Sequence, residues 1–359
     1  AMTEAYGNPS SIHRLGREAK AILDQSRTQV ARALGAPPET LFFTSCGSES
    51  DNWALLSGAE AMKRRGRHII SSEAEHAAVL RTLDVLEKRG FEITRLRPEK
   101  DGHIAVETVM DALREDTILV SLMLVNNETG GITDIAAIAK ALKARGSGAN
   151  LHTDAVQGFL KLPFSAKTLG ADLISVSGHK VHAPKGVGAL YASADGRKAL
   201  NLAPLIVGGG QEFGKRAGTE ALPLLAAFGA AAELGAAQLA EASARMAALK
   251  AQAAARLSAE NDELLVLSGN APHILSISLP GFKSQVIMNF LDALGVFVSN
   301  SSACKKGARS YVLEAAGHPA TVIDGALRIS LSRYTTEQEV QALCDGIRDA
   351  YRKLYPVLR

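Results

Sequence analysis

The chain has 359 residues, 47% of them hydrophobic and 21% charged, and its 40 basic against 37 acidic side chains leave a formal charge of +3. That length exceeds what one hydrophobic core usually supports, so two lobes are expected, and the composition is that of a folded globular protein rather than a disordered or fibrous one. The basic residues are dispersed, which argues against a nucleic-acid tail, and no apolar run reaches the roughly 18 residues of a membrane span.

No secretory leader is recognisable at the start, so the expectation is a cytoplasmic protein that binds neither membrane nor nucleic acid directly. Cys46, Cys304 and Cys344 are too few and too scattered for a disulfide framework or a four-thiolate zinc site. Any role they have is individual.

From about residue 12 to residue 235, apolar runs alternate with segments of helical period. That alternation is the pattern of a mostly parallel sheet covered by helices. Residues Leu41–Thr44, His68–Ser71, Thr117–Val125, Asn150–Thr153, Asp172–Ser177 and Gly188–Tyr191 read as strands. Val79, Leu80, Leu83 and Leu86 form one helical stripe, and Ile135, Ile138 and Leu142 another, the second after Asp134 as N-cap. Glu220–Ala259 is alanine-rich and reads as one or two long helices leaving the sheet. Beyond it, Leu264–Leu267, Ile274–Leu279, Val296–Ser299 and Arg328–Leu331 read as strands, and Ser284–Leu294 and Thr336–Leu354 as helices.

The expected class is therefore α/β: a large domain over residues 1–236 and a smaller α+β domain over 237–359, with the first residues candidates to pack with the small one.

The segment Ser177-Gly178-His179-Lys180 directly follows a strand, where an open sheet delivers side chains to a ligand. An accessible, partly deprotonated lysine at such a place can condense with an aldehyde; a solvated surface lysine is the plainer alternative. One strand earlier, Asp154 ends Leu151-His152-Thr153, as a partner for a cationic ring nitrogen or simply as a helix N-cap. Gln157 follows three residues on. The turn Thr44-Ser45-Cys46-Gly47-Ser48-Glu49-Ser50 lies between a strand and a helix, where small residues and free N–H groups can receive a phosphate. His76 opens another helix, either as a structural residue or as an aromatic base lying over a flat cofactor.

Taken in order, these segments resemble the cysteine desulfurases of the class V aminotransferase family. The resemblance also includes Gly7-Asn8-Pro9-Ser10-Ser11-Ile12-His13, Glu75-His76, Val125-Asn126-Asn127-Glu128-Thr129-Gly130, Gly208-Gly209-Gly210-Gln211-Glu212 and Arg216-Ala217-Gly218-Thr219, and so spans essentially the whole chain. It implies an aspartate-aminotransferase-like large domain, the type I fold of pyridoxal-phosphate enzymes, with pyridoxal 5'-phosphate as cofactor and L-cysteine as substrate. Lys180 would carry the cofactor, Asp154 would pair with its ring nitrogen and Gln157 would bond its phenolic oxygen. His76 would stack on the ring and move protons. Gly47, Ser48, Ser177 and His179 would hold the phosphate, and Thr219 would reach the phosphate of the other subunit in a homodimer. Asn126 and Arg328 would bind substrate, the guanidinium gripping its carboxylate by two parallel hydrogen bonds.

Cys304 sits in Ser299-Asn300-Ser301-Ser302-Ala303-Cys304-Lys305-Lys306-Gly307, small and polar like a loop. In the resemblance it takes the sulfur as a persulfide, with Lys305, Lys306 and Arg309 favouring the thiolate. The spacing from Cys304 to Arg328 resembles the branch that passes sulfur to an acceptor or scaffold protein for iron-sulfur cluster assembly or tRNA thiolation. Two positions depart from the family pattern: Cys46 and Ser301 stand where glycine is usual. Family members also begin with a segment that precedes the Gly7-Asn8-Pro9 motif. Other readings are a selenocysteine lyase or another class V aminotransferase with the same cofactor residues, and a sulfur-assembly scaffold without catalysis.

Overall fold

The computed structural model describes residues 2–193, 202–300 and 309–358. Backbone packing divides the chain into two units. One comprises Ala1–Leu96, Val106–Leu124 and Asp134–Leu239, the other Arg97–Ala105, Val125–Thr133 and Ala240–Arg359.

In the first unit the strands are β1 (Leu41–Thr44), β2 (His68–Ser72), β3 (Glu92–Leu96), β4 (Thr117–Ser121), β5 (Asn150–Asp154), β6 (Leu173–Ser177) and β7 (Gly188–Ala192). They form one sheet in the order β1-β7-β6-β5-β4-β2-β3. The pairs β3-β2, β2-β4, β4-β5 and β5-β6 are parallel, whereas β7 runs antiparallel to both β6 and β1. The expected mostly parallel sheet is therefore present.

Sequence reading missed β3. It lies at one edge of the sheet, opposite β1, and Glu-Ile-Thr-Arg-Leu carries charged residues there, the composition by which an edge avoids pairing with other chains. The interior strands β4, β5 and β6 are buried at every residue, as parallel strands covered on both faces must be.

The helices of this unit are α1 (Arg14–Leu34), α2 (Gly47–Met62), α3 (Ala77–Lys88), α4 (Val106–Asp111), α5 (Ile135–Ala144), α6 (Ala166–Leu169) and α7 (Leu222–Ala237). Trp53, Leu55 and Ala59 of α2 enter a core with Ile69, Val79, Leu83, Leu119, Leu173 and Leu190, which locks α2 and α3 onto the sheet. Asp134 caps α5, as its sequence predicts, by accepting the Ala137 N–H at 2.9 Å. The predicted strand over Thr117–Val125 ends at Ser121; residues beyond it continue as irregular backbone.

The second unit holds a four-stranded antiparallel sheet in the order β10 (Ser299–Asn300), β11 (Ala326–Ser330), β9 (Ile274–Ser278) and β8 (Leu265–Val266). Around it lie α8 (Leu239–Glu260), α9 (Ser284–Asp292), α10 (Tyr311–Ala315), α11 (Ala320–Asp324) and α12 (Glu337–Leu358). Its core joins Leu249 and Leu257 of α8, Leu275 and Ile277 of β9, Ile287 and Leu291 of α9, and Cys344 and Ile347 of α12. Cys344 is fully buried there, and burial pushes its thiol up. Among the described residues no single helix is long and apolar enough to cross a membrane; α7 and α8 reach that length and apolarity only as a pair bent by 72°.

Candidate active site

The carboxyl ends of β5 and β6 deliver the first residues of the site. Asp154 closes β5 and is only 6% exposed; its Oδ1 accepts the Val156 N–H at 2.9 Å. Burial raises its pKa, while the Val156 N–H and the nearby charges of His76 and Lys180 oppose the rise. Lys180 lies in the short 3-10 turn Gly178–Val181 that follows β6, half-buried. The same turn carries His179, whose Nδ1 is 2.9 Å from the buried Ser177 hydroxyl. Burial and the charges of Lys180 and Lys185 keep that ring neutral to lower pH than usual.

Gly47 begins α2 beside these residues. A Cβ built on it would stand 2.7 Å from Val156 Cγ2 and 3.4 Å from Ser177 Cβ, so Gly47, Ser177 and the turn after Asp154 border one space. The first turn of any α-helix leaves N–H groups without intrahelical partners, and the helix dipole favours an anion there. Cys46 occupies the N-cap of α2 in extended backbone and contributes no side-chain cap bond. The Glu49 carboxylate is held by Arg216 at 2.8 and 3.1 Å and by the Ser45 N–H at 2.8 Å, which ties the Arg216–Thr219 motif to this turn. Burial pushes Glu49 up, but Arg216 and Ser45 outweigh it and hold the group below its ordinary range. Gln157 is half-buried, whereas Ser48 and Thr219 are exposed.

His76 is the N-cap of α3, its Nδ1 accepting the Ala78 N–H at 3.2 Å. It meets Asp154 in a cluster that sequence reading did not foresee in full, because Asp51 joins them. Single ligand-type atoms of Asp51, His76 and Asp154 lie within 4.8 Å of one another. Asp51 comes from α2, is 1% exposed, and its Oδ1 has no hydrogen-bond partner. Burial, then the Asp154 charge, raises its pKa well above the carboxylate range, so the two acids do not both ionise easily. Behind them His152 bridges the Ser121 and Ser175 hydroxyls at 2.8 and 3.0 Å and is driven neutral by burial, its pKa lowered to about 3. Glu75, beside His76, accepts the Ser72 hydroxyl and the Met123 N–H and is raised by burial to about 8.

His152 had a signal in the sequence: it lies two residues before Asp154 in a strand, and side chains two apart share a face. Asp51 had none, since a polar residue early in a helix reads as solvated.

In the second unit, Asn126 is 1% exposed and its Oδ1 accepts the N–H groups of Glu128 and Thr129 and the Thr129 hydroxyl, which closes the 126–130 turn. Arg328, on β11, donates from Nη1 to the Asn127 carbonyl at 3.0 Å, while its buried Nε has no hydrogen-bond partner among the described residues. Burial lowers its pKa and the Glu128 charge opposes the change. Cys304 and its neighbours Lys305 and Lys306 lie outside the described residues.

The model of the class V aminotransferases matches residues 1–343. The chain belongs to the class V aminotransferase family. Within that family it is 42% identical to cysteine desulfurase 2 of Trichormus variabilis over 344 residues, which cover 94% of this chain and 84% of the relative. It is 38% identical to the cysteine desulfurase IscS of Methanosarcina thermophila, over 98% of this chain and 87% of that one. Among solved structures, a NifS-like protein superposes with a TM-score of 0.90 at 36% identity, covering 98% of this chain and 93% of its own. The structure of SspA in complex with cysteine gives a TM-score of 0.78 at 32% identity, with 93% of each chain covered. The first unit accordingly has the type I fold of pyridoxal-phosphate enzymes, and class V aminotransferases are enzymes of that cofactor.

Proposed function

We infer that this class V enzyme uses pyridoxal 5'-phosphate to convert L-cysteine into L-alanine, passing the sulfur to Cys304 and then to an acceptor protein. The observation that carries the reading is the meeting of Asp154 and His76 at the end of the sheet, within the field of Lys180 and beside the head of α2, where Gly47 packs on Val156 and Ser177.

The residues present suit the cofactor. A buried carboxylate such as Asp154 is costly alone and gains from a cationic partner, which a protonated pyridine nitrogen provides. The first-turn N–H groups of α2, which Gly47 begins, and the Ser177 and His179 side chains beside it are donors fit for a phosphate. Lys180 would hold the aldehyde, Gln157 the phenolic oxygen, and Ser48 and the partner copy's exposed Thr219 further phosphate oxygens. When bound, pyridoxal phosphate supplies an electron sink for the α-carbon of an amino acid.

The chain's own residues then divide the work. Asp154 would supply the negative charge that keeps the ring nitrogen of the bound cofactor protonated. His76 is anchored through Nδ1, which leaves Nε2 as the ring atom able to hold or move a proton. Arg328 grips the substrate carboxylate and Asn126 fixes the turn beside it. The balance of the transfer is simple. The C–S bond of L-cysteine breaks, an S–S bond forms on the Cys304 sulfur, and the former sulfur-bearing carbon takes a proton, so that L-alanine leaves and a persulfide stays. The lysines flanking Cys304 favour its thiolate. A homodimer, with Thr219 directed at the partner's cofactor, is part of the same reading. Sulfur then goes to an acceptor or scaffold protein, for iron-sulfur cluster assembly or tRNA thiolation.

The test is L-cysteine in stoichiometric amount without reductant, followed by peptide mass analysis. The Cys304 peptide should gain about 32 mass units, one sulfur atom, and alanine should appear in equal amount. Cys304→Ser should still bind the cofactor but release almost no alanine, since a hydroxyl is a far poorer nucleophile toward sulfur than a thiolate. Sulfur on the Cys46 peptide, or unimpaired alanine release by the serine variant, removes Cys304 from this role.

A further inference from the structure

Glu128 sits in the 126–130 turn and is only 3% exposed. On one side the hydroxyl of Ser310, the N-cap of α10, donates to its Oε2. On the other, Arg328 of β11 is anchored through Nη1 on the carbonyl of the neighbouring Asn127 at 3.0 Å, and its charge favours the ionised form of Glu128. Burial nevertheless pushes Glu128 up to about 7, against the pull of Ser310 and Arg328. The arginine that takes the substrate carboxylate in the reading above therefore already has a carboxyl group within its field.

A second anion on Arg328 acts on Glu128 in two ways. It offsets the positive field that holds the glutamate ionised, and it adds repulsion between two negative charges in a poorly solvated place. Both effects favour the protonated acid. Among the described residues, Arg328 from β11 brings a positive charge to the turn and Ser310 at the head of α10 presents a hydroxyl to the carboxyl group, while the 97–105 segment, packed against the same turn at Thr129 and Gly131, carries the paired Asp101 and His103.

We propose that Glu128 is a positioning residue, the resident counter-charge of Arg328, and that it takes up a proton from solvent when an amino-acid carboxylate binds that arginine. The inference rests on Arg328 as the carboxylate site. It adds a proton to the binding step and names its resting place. Before substrate arrives, the ionised fraction of the glutamate stabilises the half-buried guanidinium. Once substrate is seated, the neutral acid no longer competes for it.

The test uses the intact, cofactor-loaded protein and 3-mercaptopropionate, a carboxylate without an amine. Calorimetric titration in two buffers of different ionisation heat counts protons taken up on binding. Near neutral pH the wild type should take up a measurable fraction of a proton per bound molecule, and Glu128→Gln should bind the ligand and take up none. Ser310→Ala removes a bond that favours the ionised glutamate, so its uptake maximum should move to higher pH. Equal uptake by Glu128→Gln and wild type, or binding by the wild type without uptake, overturns the proposal. Should Glu128→Gln not fold, an unmoved maximum in Ser310→Ala overturns it instead. A wild type that binds no carboxylate but makes alanine removes Arg328 and this inference together, leaving the desulfurase reading intact. Uptake by a protein that makes no alanine does the reverse.

Discussion

Single residues carry the chemistry, and two of them can be separated by experiment. Lys180→Ala removes the amine at the end of β6, so the cofactor should no longer be trapped covalently by borohydride and turnover should vanish. Asp154→Asn keeps the shape but loses the charge; the cofactor should stay bound while turnover falls about 10²- to 10³-fold, the usual scale for losing a preorganised electrostatic partner. Near-normal turnover in the asparagine variant, measured as alanine released, would dismiss Asp154. The positions of Lys180, Asp154 and His76 were legible because each stands where a strand hands over to a turn or helix, a local pattern. Asp51, His152 and Glu128 were not assigned. Their importance lies in which distant groups they meet: Asp51 near Asp154, His152 between Ser121 and Ser175, Glu128 between Ser310 and Arg328. No spacing in one chain encodes the meetings of Asp51 and Glu128, whereas His152 left a trace in its two-residue spacing from Asp154.

At the scale of elements, α2 is fixed in the core by Trp53 and Leu55, while its head at Gly47 packs on Val156 and Ser177, where the phosphate is proposed to bind. The glycine matters for space, not for backbone freedom. Gly47→Ala would press its new methyl against Val156 Cγ2 at 2.7 Å, and crowding of this kind costs typically about 1–3 kcal/mol. Titration of the apoprotein with pyridoxal phosphate should show affinity reduced about tenfold, equivalent to about 1.4 kcal/mol. Adding Val156→Ala to the same chain should restore most of it; a loss that the second change does not rescue would mean the methyl obstructs something else. The interior strands were readable from their apolar runs, and α5 from its stripe and Asp134 cap. The edge strand β3 was not, because a charged rim erases the periodicity that betrays a strand.

The molecule as a whole carries a stability term that can be measured through pH. Burial raises Glu75 to about 8, above the value of an unfolded chain, so the folded state holds the proton more tightly. Its contribution is complete below about pH 4.5 and is lost as pH rises through about 8, because the native state then binds the extra proton less and less. Urea unfolding of wild type and Glu75→Gln at about pH 6 and about pH 9 isolates the term, since other groups cancel in the difference. The glutamine variant should gain on the wild type as pH rises, by on the order of a few kcal/mol; a constant difference would show that Glu75 does not titrate in the folded protein. The assignment of 97–105 and 125–133 to the second unit had no sequence signature, for these are short excursions with no change in composition.

Those two excursions also set an order in time. The carbonyls of Thr129 and Gly130 receive the N–H groups of Gly269 and Ala271, residues that leave the ribosome about 140 positions later by the numbering of the chain. A nascent chain therefore completes β4 and moves on to β5 with the 125–133 stretch still waiting for partners not yet synthesised, an interval in which a holding chaperone has something definite to hold. A fragment starting at residue 240 meets the same debt from the other side: it would contain the donors of Gly269 and Ala271 and neither of the carbonyls they were made for.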